Sequence, residues 1–254
     1  MEKLVLYEQN MTYGTIYLNR PEKRNALSIN MAQQFKQTLD EAKEESISLL
    51  LIKSKGEQTF CAGGDLNDFH AALTEEEAYK SLHIIKQILV QLITFPVPTI
   101  CVMQGDAFGG GCELATACDI RIAKENSKFG FVQSNLGILP GWGGGAILYE
   151  KVMPSFAFQW LTEGTIYDAS FLANKGWLHH VIPKDEWNDQ VIFLKDYMKK
   201  SKKQMRFLKS QYLESLQIPT LIEKMDKELA RCTQLWNSDR HQQVVQRFLT
   251  EKKG

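Results

Sequence analysis

Strict alternation of apolar and polar residues opens the chain. The segments "KLVLYEQN" and "YGTIYLN" alternate in this way, which is typical of two strands paired as a hairpin. Short apolar runs follow at "SLLLIKS" (48–54), "PTICVMQG" (98–105) and "DIRIA" (119–123). Runs of this length and composition predict buried strands of a largely parallel sheet.

Helical periodicity separates these strand segments. "SINMAQQFKQTLDEAKEE" begins at Ser28, a candidate N-cap, and residues 75–95 carry an apolar stripe along one face. The β-α-β-α-β order predicts an α/β core over residues 1–195. After it, residues 196–254 read as amphipathic helices, and we expect them to form a helical region that contacts another subunit.

Two glycine-rich breaks follow neighbouring strands: "CAGGD" after 48–54 and "FGGG" after 98–104. Glycine allows a backbone to approach a ligand closely, and two converging N–H groups would form an oxyanion hole. Glu113 lies one helical turn after Gly110, which would put a carboxylate beside that hole. The alternative is a pair of tight strand-to-helix turns, with Glu113 serving only as a charge at a helix N-terminus.

Composition narrows the class of protein. Lys plus Arg and Asp plus Glu number 30 each, so the net charge is zero and no nucleic-acid partner is indicated. The five cysteines form no CxxC pair, which favours buried, reduced thiols. The start "MEKLVLYEQN" lacks the apolar region of a signal peptide, and no apolar run has the length of a membrane span. We therefore expect a cytoplasmic protein with no membrane contact.

Other motifs in the sequence bear on cofactors and metals. "GWGGGA" (141–146) fits the dinucleotide pattern GxGxxA, but it follows Pro140 rather than a clear strand. A nucleotide-dependent oxidoreductase therefore stays an alternative that NAD(P) binding would test. There is no P-loop and no GxSxG elbow. We expect no metal, because the histidines show no ligand spacing at positions 70, 83, 179, 180 and 241.

Five stretches together resemble the crotonase superfamily, also called the enoyl-CoA hydratase/isomerase family. They are "LNRPEKRNALS" (18–28), "FCAGGDL" (60–66), "GDAFGGGCELATACDIRIA" (105–123), "FGFVQSNLGILPGWGGG" (129–145) and "LTEGTIYDASFLANKGWLHHVIP" (161–183). The resemblance covers most of the chain. It implies an α/β spiral of ββα units with C-terminal helices that support a homotrimer or a dimer of trimers (a hexamer). It also implies a lyase of fatty acid metabolism whose substrate is a coenzyme A thioester, with no separate cofactor.

The resemblance also implies roles for individual residues. The N–H groups of Gly64 and Gly110 would form the oxyanion hole, with Glu113 as the acid–base group. Trp142 would shape the acyl pocket, or else serve as a packing residue. Residues implied in substrate binding on the coenzyme A side are Lys23, Arg24, Ala62, Asp65 and Leu66, joined by Phe248 and Lys252 of "RFLTEKK" (247–253) from a neighbouring subunit.

One position departs from the family pattern. Hydratases of the family use two glutamates, and the second falls here on Gln133, which cannot act as a general acid or base. The nominal function is enoyl-CoA hydratase. A decarboxylase of ethylmalonyl- or methylmalonyl-type thioesters is an alternative, because loss of CO₂ forms the enolate without a base and the segment is similar to ethylmalonyl-CoA decarboxylase-like members. An enoyl-CoA isomerase and a non-catalytic acyl-CoA-binding protein also stay open. So does the protonation state of Glu113, because burial and the helix dipole oppose each other.

Overall fold

The computed structural model describes residues 2–10, 12–69 and 73–251, without the side chains of 67, 189–192 and 248–251. Its strands form two sheets. The six-stranded sheet has the order β1 (Val5–Gln9), β2 (Tyr13–Leu18), β3 (Leu49–Ser54), β5 (Thr99–Met103), β7 (Ile120–Lys124) and β10 (His180–Ile182). The four-stranded sheet has the order β4 (Thr59–Cys61), β6 (Asp106–Phe108), β8 (Lys128–Gly130) and β9 (Tyr167–Asp168).

The strands that the apolar pattern predicted are present. β1 and β2 pair antiparallel from Val5–Leu18 to Gln9–Gly14, which confirms the hairpin. β3, β5 and β7 correspond to the three apolar runs and pair parallel in the centre of the larger sheet. Their burial on both faces explains why these strands are continuous apolar runs rather than alternating ones.

Helices occupy most of the remaining chain. They are α1 (Ile29–Glu44), α2 (Leu66–Phe69), α3 (Glu75–Ile93), α4 (Gly110–Ala117), α5 (Gly144–Lys151), α6 (Pro154–Glu163), α7 (Ala169–Asn174), α8 (Gln190–Met198), α9 (Lys202–Ser215), α10 (Ile218–Gln234) and α11 (Asp239–Glu251). Three 3₁₀ turns lie at Pro21–Lys23, Val132–Leu136 and Trp187–Asp189. Ser28 caps α1 as expected, since its Oγ accepts a hydrogen bond from the Met31 N–H at 3.1 Å.

A repeating order of strands and helices confirms the ββα spiral. β3, β5 and β7 each add a strand to the larger sheet, and the strand that follows each one joins the smaller sheet. A helix then follows each pair: α2 comes after β4, α4 after β6, and α5 after β8 and an intervening 3₁₀ turn. The two glycine-rich breaks follow the carboxyl ends of β4 and β6. Because these two strands pair parallel, the breaks lie next to each other.

The C-terminal helices share the core of the rest of the chain. α10 packs on α3 and α5, and its apolar face joins the core cluster that also holds residues of β3 and β5. The buried residues of this face are Leu221, Met225, Leu229 and Cys232. α10 thus buries its face within its own chain, and the proposed boundary at 195/196 falls inside α8. A subunit contact by residues 196–254 stays a prediction.

The structure also bears on the cysteines and on membrane-spanning helices. All five cysteines are buried and none is in a disulfide. Within the described part of the chain, no helix combines the length and the apolar character that crossing a membrane requires.

Candidate functional site

The two glycine-rich breaks lie against each other. A Cβ atom placed on Gly63 would be 3.3 Å from the Gly110 nitrogen and 3.0 Å from the Phe108 oxygen. A Cβ atom placed on Gly111 would be 2.0 Å from the Cys61 oxygen. Side chains at these positions would separate the two loops. Glycine is therefore what allows the end of β4 and the start of α4 to meet.

In the described part of the chain, the backbone hydrogen bonds around Gly64 and Gly110 do not use the N–H group of either residue. The Leu27 N–H donates to the Gly63 oxygen, and the Asp65 N–H donates to the Leu27 oxygen, both at 2.8 Å. In a parallel bridge of this kind the N–H of the middle residue, Gly64, points away from Leu27. Gly110 is the first residue of α4, so its N–H has no acceptor within the helix. The helix dipole favours negative charge at this end.

Glu113 lies in the first turn of α4 with only 1% of its surface exposed. Its Oε2 accepts hydrogen bonds from the N–H groups of Trp142 at 3.0 Å and Gly144 at 2.9 Å. Its Oε1 accepts one from Nε2 of Gln133 at 2.8 Å. The carboxyl group therefore joins α4, the 3₁₀ turn that holds Gln133, and the start of α5.

Burial is the largest influence on the pKa of Glu113. Loss of solvent raises the pKa of this carboxyl from its ordinary 4.5 to about 7, against the hydrogen bonds from Gly144, Trp142 and Gln133, which lower it. The sequence left this balance open, and the fold settles it in favour of burial. A carboxyl that titrates near neutral pH is suited to both accepting and donating a proton.

A second carboxylate, missed by the sequence analysis, lies at the same helix start. Glu228 of α10 accepts a hydrogen bond from the Gly145 N–H at 3.1 Å. Burial raises the pKa of Glu228, and the nearby charge of Glu113 raises it further. Glu228 belongs to no motif, because α10 meets α5 only through the tertiary fold.

The glycine run that suggested a dinucleotide site makes room for these two carboxylates. A Cβ atom on Gly144 would be 2.3 Å from the Glu113 Cβ, and one on Gly145 would be 2.6 Å from the Glu228 Oε2. The preceding element is the 3₁₀ turn that ends at Leu136, not a strand. The structural context of a dinucleotide fingerprint, a strand running directly into the glycines, is therefore absent from this segment.

Gln133 and Trp142 both lie within the site. Gln133 is 6% exposed, and within the described part of the chain its Oε1 has no hydrogen-bond partner. Trp142 is 4% exposed, and its indole occupies the space where a Cβ of Gly110 would be. The packing role of Trp142 is therefore direct, and its role in shaping an acyl pocket stays a prediction.

The residues predicted for coenzyme A binding are distributed around the first glycine break. Lys23 and Arg24 are exposed, and the Arg24 oxygen accepts the Ala62 N–H at 3.1 Å. Asp65 is buried and forms an ion pair with Arg20, which the sequence analysis did not single out. The substrate-binding role of each of these residues stays a prediction.

Three other predicted contacts fall at element ends or beyond the described residues. Leu66 begins α2. Phe248 lies on α11, and its side chain is not among those described. Lys252 lies outside the described residues.

Two of the histidines bond to the backbone. His241 bonds to the Leu136 oxygen through Nδ1 at 2.7 Å, and His179 Nδ1 accepts the Arg121 N–H at 3.1 Å. His70 lies outside the described residues. Across residues 2–10, 12–69 and 73–251, no group of three or more His, Cys, Asp or Glu side chains could hold a metal ion.

Comparison with known proteins gives the family. The enoyl-CoA hydratase/isomerase family model matches residues 8–254. The chain is 32% identical to the mitochondrial methylglutaconyl-CoA hydratase of Mus musculus over 72% of its own length and 59% of that protein. It is 31% identical to the crotonyl-CoA hydratase of Syntrophomonas wolfei over 74% of its own length and 72% of that protein.

A solved structure shares the fold. The enoyl-CoA hydratase from Bacillus halodurans superposes with a TM-score of 0.88 at 22% identity, covering 96% of this chain and 99% of that one. The family match extends over nearly the whole sequence and includes both glycine breaks, Glu113 and Gln133. The chain belongs to the enoyl-CoA hydratase/isomerase family.

Proposed function

We propose that this chain hydrates an α,β-unsaturated acyl-CoA thioester through an enolate held in a backbone oxyanion hole. The observation that carries the proposal is the contact between the Gly63–Gly64 segment and the start of α4, directly beside the buried Glu113. The Gly64 and Gly110 N–H groups would bind the thioester oxygen, where negative charge develops. A helix N-terminus on the same side adds to that stabilisation.

Glu113 would carry the proton chemistry alone. In its ionised form it takes a proton from water, whose oxygen then bonds to the β-carbon of the substrate. The resulting carboxylic acid returns the proton to the α-carbon as the enolate collapses, so that water is added overall. A pKa of about 7 keeps both forms of Glu113 populated at neutral pH. Two of the relatives above are named as acyl-CoA hydratases, which supports this reaction type.

Decarboxylation is the second candidate, and Gln133 is the observation that favours it. The Gln133 amide donates to Glu113 where the family resemblance implies a second glutamate. Loss of CO₂ from an ethylmalonyl- or methylmalonyl-type thioester breaks a C–C bond and leaves its electron pair as the enolate, so no base is required. Glu113 in its acid form would then protonate the α-carbon. This route needs only one carboxyl group, as a proton donor.

Mass spectrometry separates the two reactions. Purified protein is incubated with crotonyl-CoA in one sample and with ethylmalonyl-CoA in another, and Glu113→Gln serves as the inactive control. Gain of water in the first sample supports hydration, and loss of CO₂ in the second alone supports decarboxylation. If the wild type changes the mass of neither thioester and yet binds both, hydration and decarboxylation are both wrong, and the isomerase and the non-catalytic acyl-CoA-binding protein remain.

We also propose a cytoplasmic homotrimer or dimer of trimers, in which α11 of one subunit approaches the coenzyme A side of the next. Light scattering coupled to size-exclusion chromatography measures the subunit number directly. A monomeric mass at micromolar concentration would contradict this arrangement and the predicted roles of Phe248 and Lys252.

A further inference from the structure

The N-terminus of α5 is shared by two carboxylates that come from different helices. Glu113 of α4 accepts the Gly144 N–H at 2.9 Å, and Glu228 of α10 accepts the N–H of the next residue, Gly145, at 3.1 Å. Consecutive N–H groups at one helix start thus hold the two carboxyl groups as neighbours. The partial positive charge at this helix end stabilises the ionised form of both carboxyl groups.

Glycines fix this arrangement. Gly143 has a φ of +89°, a conformation that favours glycine, and it directs the chain into α5. Any side chain on Gly144 would overlap Glu113, and any on Gly145 would overlap the Glu228 carboxylate. The close approach of both acids to the helix start is therefore built into the "GWGGG" sequence.

We propose that Glu228 is a positioning residue that shares a proton with Glu113 and thereby keeps Glu113 able to donate that proton to the substrate. The inference rests on the acid–base role proposed for Glu113. Two carboxylates held close together in a buried site cannot both ionise readily, since each charge disfavours the other. Gln133 occupies the 3₁₀ turn, and the acid that lies at the same helix start as Glu113 comes from α10 instead.

The other titratable groups around the pair do not neutralise it. Cys112 of α4 and Cys232 of α10 have thiol pKa values raised by burial, and burial also raises the pKa of Tyr149 on α5. All three are neutral at pH 7. Within the described part of the chain, no ion pair reaches Glu113 or Glu228.

Two lysines on the surrounding helices have other partners. Lys224 of α10 pairs with Glu150 of α5 at 2.7 Å. Lys86 of α3 pairs with Asp226 of α10. A shared proton is therefore the means by which the described structure can relieve the repulsion between the two acids.

Infrared difference spectroscopy across a pH titration tests the pair without any turnover. The C=O band of a protonated carboxyl group is followed in the wild type and in Glu228→Gln, where the amide oxygen can still accept the Gly145 N–H. We expect the midpoint for loss of the pair's last proton to fall by about one pH unit in the variant, a tenfold drop in proton affinity, because Glu113 then titrates alone and no second charge has to form beside it. Glu223→Gln, on the exposed side of α10, is the matched control and leaves the midpoint unchanged.

The pH profile of kcat/KM is the second readout. The limb that reports the last proton of the pair should move to lower pH in Glu228→Gln by the same amount. KM should change little. A role limited to supporting the fold would lower kcat without moving the limb.

Each outcome decides the inference. Identical midpoints for the last proton of the pair in the wild type and Glu228→Gln overturn it. If Glu228→Gln does not fold, Glu113→Gln gives the reciprocal measurement, in which the Glu228 midpoint must fall by a similar amount; no fall overturns the inference. A shift seen in the infrared with no thioester turned over supports the shared proton and contradicts the proposed reaction alone.

Discussion

The indole of Trp142 lies directly over the α-carbon of Gly110, the first residue of α4. A Cβ atom on Gly110 would be 2.1 Å from Cη2 of this ring. The backbone N–H of the same tryptophan donates to the Glu113 carboxylate at 3.0 Å. One residue thus contacts both the proposed oxyanion donor and the proposed acid–base group, so a displacement of Trp142 disturbs both.

Gly110→Ala should therefore lose most of its activity. The new methyl group has to push the indole aside, which moves the Gly110 N–H and the Trp142 N–H together. We expect kcat/KM to fall by about 10²–10³-fold, the range found when one oxyanion donor is lost. Steady-state kinetics with whichever thioester reacts measures the effect.

A double-mutant cycle controls for this explanation. In Trp142→Ala the indole is absent, so adding Gly110→Ala should cost much less than it costs in the wild type. Equal losses in the two backgrounds would show that the alanine acts by some route other than the tryptophan.

Gln133→Leu should raise the pKa of Glu113. The Gln133 amide stabilises the ionised form of Glu113, so its removal takes the pKa of Glu113 above about 7. The matching limb of the kcat/KM pH profile then moves to higher pH, opposite to the shift expected for Glu228→Gln. Gln159→Leu, on the exposed face of α6, serves as control, and a Gln133→Leu profile that coincides with it would contradict the hydrogen bond's role.

Glu113 should also make the protein less stable as pH rises. Its folded-state pKa of about 7 exceeds the ordinary 4.5, so the folded chain holds a proton that the unfolded chain releases. The free energy of unfolding therefore decreases from about pH 4.5 to about pH 7 and stays lower above, by on the order of 3 kcal/mol for this group.

Glu113→Gln removes this dependence, because an amide is neutral throughout. Urea unfolding at pH 5 and pH 8 should show the variant gaining stability over the wild type only at the higher pH. Glu223→Gln, whose side chain is exposed, should track the wild type at both. A Glu113→Gln advantage that is the same at pH 5 and pH 8 would exclude the buried proton.

Much of the fold could be predicted because it follows from local patterns. β3, β5 and β7 are apolar runs, and in α1 and α3 the apolar residues recur every three to four positions. Each of these signals lies within one short stretch of sequence. The two glycine breaks and Glu113 were equally local. Parallel pairing of β4 with β6 then brings the breaks together, as neighbouring parallel strands must.

Glu228 could not be predicted in this way. On α10 it lies beside the apolar stripe of Met225 and Leu229, where a glutamate looks like any residue at the edge of an amphipathic face. Its role appears only when α10 docks on α5, a contact between segments far apart in sequence. The pKa of Glu113 was unpredictable for a related reason, since desolvation depends on every element that covers the group.

Asp65 offers a last test, because the sequence assigned it to substrate binding while the structure pairs it with Arg20. The Arg20 guanidinium donates to the Asp65 carboxylate and to the Ala26 oxygen, and both charged side chains are largely shielded from solvent. Arg20→Leu removes the cation of a shielded ion pair, so we expect a loss of about 3 kcal/mol in urea unfolding. Lys199→Leu breaks the exposed pair with Asp196 and should cost less than about 1 kcal/mol. If Arg20→Leu instead unfolds like the wild type and raises only KM, Asp65 acts on the substrate and its ion pair contributes little to the fold.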